Sequence, residues 1–512
     1  MFSIVNTFLS WFVSRRMNDI NQSLIQPLLT QQNIGLQLLA TGQNTTYGKL
    51  NHFNKIKDLK TYKKNVPIAT YETLQPLIAR TLQGEQKLLW PSDINWFAKS
   101  SGTTDNKSKY IPVSKECLEL THLQGGKDVM SLYYNSFPNS QLFTGKCLIL
   151  GGSHANNPAH EEIKIGDVSA VMMQNMPLIS QFFRAPDLEV LLINDWEEKL
   201  EKIIRATRYE NITHIAGVPS WMLVFIKKMI ADTGSNHLHE VWQNLELYVH
   251  GGVNMQPYMS QYNNLINPEA MNYFQTYNAS EGFFAIQDRP NANDMLLMLD
   301  YGIYYEFLPI ENVNDENPLT LSLADVELNK NYALIISTNA GLWRYALGDT
   351  IKFTSIAPHR IVVTGRTKAF INLLGEELMI DNAEKALQQV CKKMQLTILE
   401  YTAAPYFEEN TAIAYHEWII EVEQELNNEQ QQQLCLLLDQ ELKLQNSDYE
   451  AKRHKNIVMQ LPKIHIVKSG TFYKMMQLNG KLGGQNKIPR LSNERVVLDD
   501  FIQKLNQIKS SI

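Results

Sequence analysis

The chain has 512 residues, 44% of them apolar and 20% charged, with a net charge of −6. That length exceeds one small core and predicts a large domain with at least one companion. The acidic balance excludes a broad basic face for nucleic acid. The four cysteines (Cys117, Cys147, Cys391 and Cys435) are scattered, which excludes a disulfide framework or a paired-cysteine zinc site. They read as free thiols in a reducing compartment, so a cytoplasmic protein is expected.

The opening stretch MFSIVNTFLSWFVSRR has no basic leader, and Asn6, Thr7 and Ser10 interrupt its apolar residues, so it is not read as a signal peptide. Phe2, Val5, Leu9 and Phe12 recur at helical spacing. This predicts an amphipathic helix docked on the body, with a membrane-surface helix as the lesser reading. No later run approaches the ~18 apolar residues of a spanning helix, and no membrane partner is expected.

Further along, CLILGGS (147–153), LEVLLIN (188–194) and LELYVHGG (245–252) are short apolar runs ending in turn residues. Helical patterns over 197–210 and 220–234 lie between them, which is the rhythm of an α/β domain with buried strands. From about 283 to 364 the chain is strand-rich, through DMLLMLDYGIYYEFLPI, NYALIIST and HRIVVTGR. After Arg366 helices are predicted in NAEKALQQVCKKMQL, NNEQQQQLCLLLDQELKL and DDFIQKLNQIK, and strands in AIAYHEWIIEVE and KIHIVKSGT. That is an α+β unit.

The Walker loop, G-x-G-x-x-G, H-E-x-x-H and G-x-S-x-G are all absent. His237 and His239 have no further ligands nearby in sequence and read as a polar surface pair. Four clusters remain. In KSSGTTDNKSKYIP (99–112), Ser100, Ser101, Thr103 and Thr104 offer hydroxyls, Gly102 lets backbone N–H groups converge on an anion, and Lys107 and Lys109 add positive charge. The plain alternative is a polar surface turn. In YNASEG (277–282), Glu281 is the type of carboxylate that holds Mg²⁺ beside phosphate oxygens, and Tyr277 can stack on a base. In GLWRYALGD (341–349), Asp349 follows a glycine at a strand end and can accept from both ribose hydroxyls. In VVTGRTK (362–368), Arg366 can reach a phosphate or ribose, or the Gly-Arg pair is a hinge or plain turn.

Taken in order with GGQNKIPR (483–490), LQNSDYEAKR and IHIVKSGTFYKMM, these stretches resemble the Gretchen Hagen family of auxin-responsive acyl-acid amido synthetases, over roughly 60–490. That family lies within the adenylate-forming superfamily of acyl-CoA ligases, luciferases and adenylation domains. The resemblance implies an α/β fold with a large N-terminal domain of layered sheets plus a β-barrel-like portion over 1–365, and a small mobile α+β lid over 366–512. It implies that a small carboxylic acid attacks the α-phosphate of ATP, giving an acyl-adenylate and pyrophosphate, and that an amino acid amine then displaces AMP. An acyl-CoA ligase using the same adenylate, or a silent nucleotide-binding homologue, are the alternatives.

By the same resemblance, Ser100, Ser101, Gly102, Thr103, Thr104 and Lys109 form the phosphate loop. Tyr277, Asn278, Ser280 and Glu281 form the nucleotide and Mg²⁺ motif, and Gly251, Gly252 and Val253 flank the adenine. Asp349 binds ribose, Arg366 marks the domain junction, and Lys487 reaches the α-phosphate. Lys487 and Lys109 are the catalytic candidates, ATP and Mg²⁺ the cofactors, and a monomer is expected. Asp105 and Asn106 depart from the family's phosphate loop. THLQGGKDV (121–129) stands where relatives carry acid-binding residues, with Lys127 as a pairing candidate or a plain surface lysine.

Overall fold

The computed structural model describes residues 6–7, 10–11, 14–100, 109–152, 154–157, 159–253, 255, 258–313, 315–367, 370–371, 373, 376, 378–408, 413–453, 459–482 and 487–509. In chain order the strands are β1 (Trp96–Ser100), β2 (Lys109–Val113), β3 (Lys146–Leu150), β4 (His154–Asn156), β5 (Lys164–Gly166), β6 (Ile212–Gly217), β7 (Leu247–Gly251), β8 (Asn272–Ala279), β9 (Gly282–Ile286) and β10 (Met295–Leu297). They continue with β11 (Ile303–Pro309), β12 (Asn331–Thr338), β13 (Tyr345–Ile356), β14 (His359–Arg366), β15 (Phe370–Ile371), β16 (Leu378–Met379), β17 (Ile398–Glu408), β18 (Ile413–Val422) and β19 (Lys463–Lys468).

One ten-stranded sheet, in the order β3-β6-β7-β8-β9-β10-β14-β13-β12-β11, organises the molecule. β3, β6, β7 and β8 run parallel, and every later pairing is antiparallel. The switch follows from chain length. Helices Trp196–Thr207 and Pro219–Thr233 supply the crossovers that parallel strands need, whereas β8 and β9 are joined by a two-residue turn that permits only a hairpin. The first of these helices buries Trp196, Leu200, Ile203, Ile204 and Thr207 at helical spacing, and Asp195 caps it by accepting from the Glu198 N–H at 2.8 Å. Lys199 on the same face is buried and donates to Gly151 O at 2.8 Å and Gly152 O at 3.0 Å, closing the turn after β3.

A side-chain bond reveals the shape of the antiparallel half. β8 and β13 are four steps apart in the sheet, about 19 Å if it were flat. Yet the Tyr277 hydroxyl on β8 donates to Asp349 Oδ2 on β13 at 2.7 Å. The half-sheet therefore rolls back on itself. A barrel-like portion is expected within residues 1–365, but among the described residues the roll is not closed by strand pairing: β11 and β3 stay at the two ends.

A smaller sheet, β2-β1-β5-β4, packs against the same core as the rolled half, with Phe97, Ala98 and Ile111 beside Tyr277, Phe284 and Tyr345. The C-terminal sheet β17-β18-β19 carries helices Ile380–Met394 and Asn428–Gln445 on a separate core, including Leu387, Val390, Trp418, Leu434 and Leu438. Both helices and the strands β18 and β19 fall where the sequence predicts them, whereas β17 (Ile398–Glu408) is not predicted. One expected strand does not form: in LEVLLIN, Leu188–Leu191 is a short helix, closed by Leu192 N–H to Leu188 O at 3.0 Å. Its apolar run is compatible with either period, and the next helix begins at Trp196.

The predicted apolar stripe of the N-terminal helix (Phe2, Val5, Leu9, Phe12) lies outside the described residues, but the residues between show the docking. Asn6 is buried; it donates to Ser140 O at 3.0 Å and accepts from Tyr134 Oη at 2.8 Å and Phe143 N at 3.0 Å. Further on, Arg16 Nη2 lies 3.1 Å from the fully buried Asp128 and 2.5 Å from Asp300. Tyr301 and Gln124 also donate to Asp128, at 2.8 and 2.7 Å. Arg16→Ala would leave that carboxylate with only neutral donors, and we expect a loss of about 3 kcal/mol in denaturant unfolding. A loss under ~1 kcal/mol would show that the N-terminal anchor contributes little.

Candidate active site

The β8–β9 hairpin positions the first part of the site. Its turn residues, Ser280 and Glu281, are both buried, which is unusual for a hairpin tip. A register shift between Tyr277 and Asn278 re-aims the side chains at the end of β8. Tyr277 packs on Phe284, with ring centroids 4.8 Å apart, and points its hydroxyl at Asp349.

Asp349 and Arg366 are direct partners across β13 and β14. Arg366 Nε donates to Asp349 Oδ1 at 2.8 Å, while Tyr277 takes Oδ2. Each carboxylate oxygen keeps lone-pair capacity for a further donor. Burial, together with the Asp349 charge, pushes the Glu281 carboxyl up to about 7, and Arg366 and Lys109 act against that rise. Lys109, at the start of β2, also lies over the Tyr71 ring at 5.4 Å.

The last cation comes from the far end of the chain. Lys487 Nζ donates to Gly252 O at 2.5 Å. Burial and the nearby Arg366 hold its ammonium down to about 8, while Asp349 pulls the other way. Gly252 has φ +79°, and a Cβ there would lie 3.0 Å from Lys487 Nζ. Only glycine offers this carbonyl without strain or obstruction.

The structure thus brings Lys109, Tyr277, Glu281, Asp349, Arg366 and Lys487 into mutual range, with Gly251, Gly252 and Val253 beside them at the carboxyl end of β7. That is the edge at which open α/β sheets bind ligands. Asn278 and Ser280 belong to the same hairpin. Ser100 ends β1 directly opposite Lys109, so the two ends of the expected phosphate loop are paired. Ser101, Gly102, Thr103 and Thr104, with Asp105 and Asn106, lie outside the described residues. Lys127 is exposed, in keeping with the plain surface reading.

Sequence reasoning missed His122. It ends a π-helical turn, Leu118–His122, and is fully buried with neither ring nitrogen hydrogen-bonded among the described residues. Burial lowers its pKa to about 4, so the ring is neutral, and Asn278, whose Oδ1 is also unpartnered, is the polar side chain that bears on it. The neighbouring Gly125 allows this helix to press on Phe283; a Cβ would meet that ring at 2.4 Å. The signal was the THLQGG stretch itself, but nothing local marks His122 as facing Asn278.

This fold and this cluster define a member of the GH3 family, to which the chain belongs. The GH3 family N-terminal domain matches residues 16–271, the central domain 296–366 and the C-terminal domain 381–496. The chain is 26% identical to indole-3-acetic acid-amido synthetase GH3.3 of Arabidopsis thaliana, over 90% of this chain and 88% of that protein. It is 24% identical to jasmonoyl–L-amino acid synthetase JAR6 of Nicotiana attenuata, over 89% of each. Among solved structures, an acyl acid amido synthetase, GH3.15, shares the fold with a TM-score of 0.76 at 17% identity, covering 93% of each chain.

The electrostatics can be tested without a substrate. Asp349→Asn removes a negative neighbour from Glu281 and frees Arg366 to act on it. We expect the Glu281 carboxyl, followed by ¹³C NMR of glutamate-labelled protein, to fall part of the way from about 7 toward the ordinary range. A value that stays near 7 would mean burial alone sets it.

Proposed function

We propose that this chain is an ATP-dependent acyl-acid amido synthetase. It adenylates a small carboxylic acid and passes the acyl group to the amine of an amino acid, releasing pyrophosphate and then AMP. The observation that carries the reading is the convergence of Glu281, Asp349, Arg366, Lys109 and Lys487 at one sheet edge. Relatives named for joining acids to amino acids support it. We read residues 1–365 as the adenylate-forming domain and 366–512 as the lid that supplies Lys487. The reading takes the protein as a cytoplasmic monomer, with its four cysteines as free thiols.

A carboxylate is a poor electrophile, and adenylation gives it a good leaving group. The residues present fit a task of positioning and charge neutralisation. Asp349 accepts from the ribose hydroxyls and Tyr277 holds that carboxylate in place. Lys487 leaves the Gly252 carbonyl for the α-phosphate and stabilises the charge that builds there as the acid attacks. Lys109 and the 101–104 loop hold the outgoing pyrophosphate. The neutral pair His122 and Asn278 lines the side where we place the acid. The amine then attacks the carbonyl carbon, and the acyl–phosphate bond breaks to release AMP.

Magnesium fits Glu281. The carboxylate is buried, has no side-chain hydrogen-bond donor among the described residues, and is costly to ionise without added positive charge. No cluster of three or more ligating side chains exists among the described residues, as suits an ion that takes one carboxylate plus phosphate and water oxygens. Bound there, it would neutralise phosphate charge.

Acid-dependent ATP–pyrophosphate exchange across a carboxylate panel, followed by mass spectrometry with pooled amino acids and coenzyme A, tests the reading. We expect exchange with at least one acid and an amide product. No exchange, or a thioester without amide, would overturn it. Asp349→Ala should weaken ATP binding tenfold or more, the worth of one or two charge-assisted bonds.

The pH dependence is also set. Glu281 carries its charge only above about 7, and Lys487 carries its charge only below about 8. kcat/KM for ATP should therefore be a narrow bell centred at roughly 7.5. Lys487→Arg should move the alkaline limb upward; a limb that stays near 8 would assign it to another group.

A further inference from the structure

Arg490 is partly buried between the C-terminal sheet and the large part of the chain. Its guanidinium pairs with Glu384 and lies 3.8 Å from Glu400, carboxylates on helix Ile380–Met394 and on β17. Its Nη2 donates to Tyr258 Oη at 3.0 Å, and the Tyr258 hydroxyl in turn donates to Glu400. The guanidinium also lies between two rings, 5.2 Å from Tyr401 and 5.8 Å from Tyr258. Glu384, Glu400 and Tyr401 belong to the C-terminal part, but Tyr258 stands before helix Met259–Leu265 of the large one.

The segment bearing Arg490 is itself pinned. Thr402 Oγ1 donates to Pro489 O at 2.6 Å, Ala403 N to Arg490 O at 2.9 Å, and Ser492 N to Ala403 O at 3.1 Å. Leu491 therefore makes an isolated parallel bridge to Ala403 of β17. Lys487 is three residues from Arg490, as Gly252 is six from Tyr258. Two residues of the large part thus hold two residues of the C-terminal part: Gly252 O takes Lys487, and Tyr258 takes Arg490.

We propose that Tyr258 and Arg490 are positioning residues that hold Lys487 in place for adenylation. Neither touches the reacting atoms. The Lys487 stem is long and rotatable, and a single bond to a neutral carbonyl would fix it poorly. The part-buried Tyr258–Arg490–Glu400 contact sets the backbone from which that stem extends. Because it crosses between the two parts, it is made only when the C-terminal part is docked as here. The inference rests on the amido synthetase reading for its role in catalysis, but the clasp itself can be tested without it.

Tyr258→Phe removes the hydroxyl shared by Arg490 and Glu400 and keeps the ring. Glu400→Gln weakens the same contact from the other side. Acetylation of the intact protein with acetic anhydride, read per lysine by mass spectrometry against the exposed Lys127, reports how well Lys487 is held. We expect Lys487 labelling to rise at least fivefold in Tyr258→Phe and to rise in Glu400→Gln. Acid-dependent exchange in Tyr258→Phe should fall about tenfold in kcat, with KM for ATP changed less than twofold. A merely structural role would instead raise the ATP KM with no selective change at Lys487. Unchanged Lys487 labelling in both variants, or raised labelling with unchanged exchange, would overturn the proposal. If the unaltered protein exchanges with no acid, the catalytic reading fails, and the labelling ratio alone decides the clasp.

Discussion

A 2.7 Å hydrogen bond from Tyr277 to Asp349 joins two strands that three others separate in the sheet. It forms only because the antiparallel half of the sheet rolls over, and the site exists because of that roll. On a flat sheet, the hairpin tip with Glu281 and the Asp349–Arg366 pair would be distant and exposed. The roll places them together, with Glu281 buried, so that the charges act on one another. The sheet's native twist and the register shifts along β13–β14 supply the curvature.

Bringing two carboxylates into one place has a cost, and the cations nearby are the response. Arg366 is permanently charged and built into the neighbouring strand, so it neutralises Asp349 in the resting protein. Among the described residues Glu281 has no such partner, and burial pushes its carboxyl up to about 7. In the function proposed above the asymmetry has a use: Asp349 is fixed to accept hydroxyls, and Glu281 is held for a ligand that brings its own positive charge. The strand pairing of Asp349 with Arg366 is what gives that carboxylate a fixed counter-charge.

The sequence made some of this legible. YNASEG and GLWRYALGD stand out because each sets a carboxylate among apolar residues beside a glycine. Glu281 does follow the end of β8, but Asp349, expected at a strand end, lies within β13 and pairs there with Arg366. What could not be read is what depends on distant pairing. Tyr277 and Asp349 are 72 residues apart, and Arg490 and Tyr258 are 232 apart. Arg490 lies in the KIPR stretch, yet its role depends on partners from three other elements. Asn6 illustrates the opposite failure. By sequence it interrupts an apolar run, whereas in the fold its carboxamide bonds to three groups of the body. LEVLLIN was ambiguous because four to seven apolar residues suit a buried strand and a buried helical turn equally.

The choice of resting partner for Lys487 completes the logic. An ammonium so close to Asp349 could have paired with it, but such a pair would occupy the lone pairs that a ribose needs and would resist displacement. Lys487 instead rests on the Gly252 carbonyl, a dipole rather than a charge. A phosphate offers an ammonium a far larger attraction than a carbonyl does, so in the proposed reaction Lys487 would exchange one partner for the other without an ion pair to break. Gly252 can present that carbonyl because it adopts a backbone angle other residues avoid. The fixed charges therefore come from the rolled sheet and the movable one from the C-terminal segment, which is the division expected when one group must meet a bond as it forms.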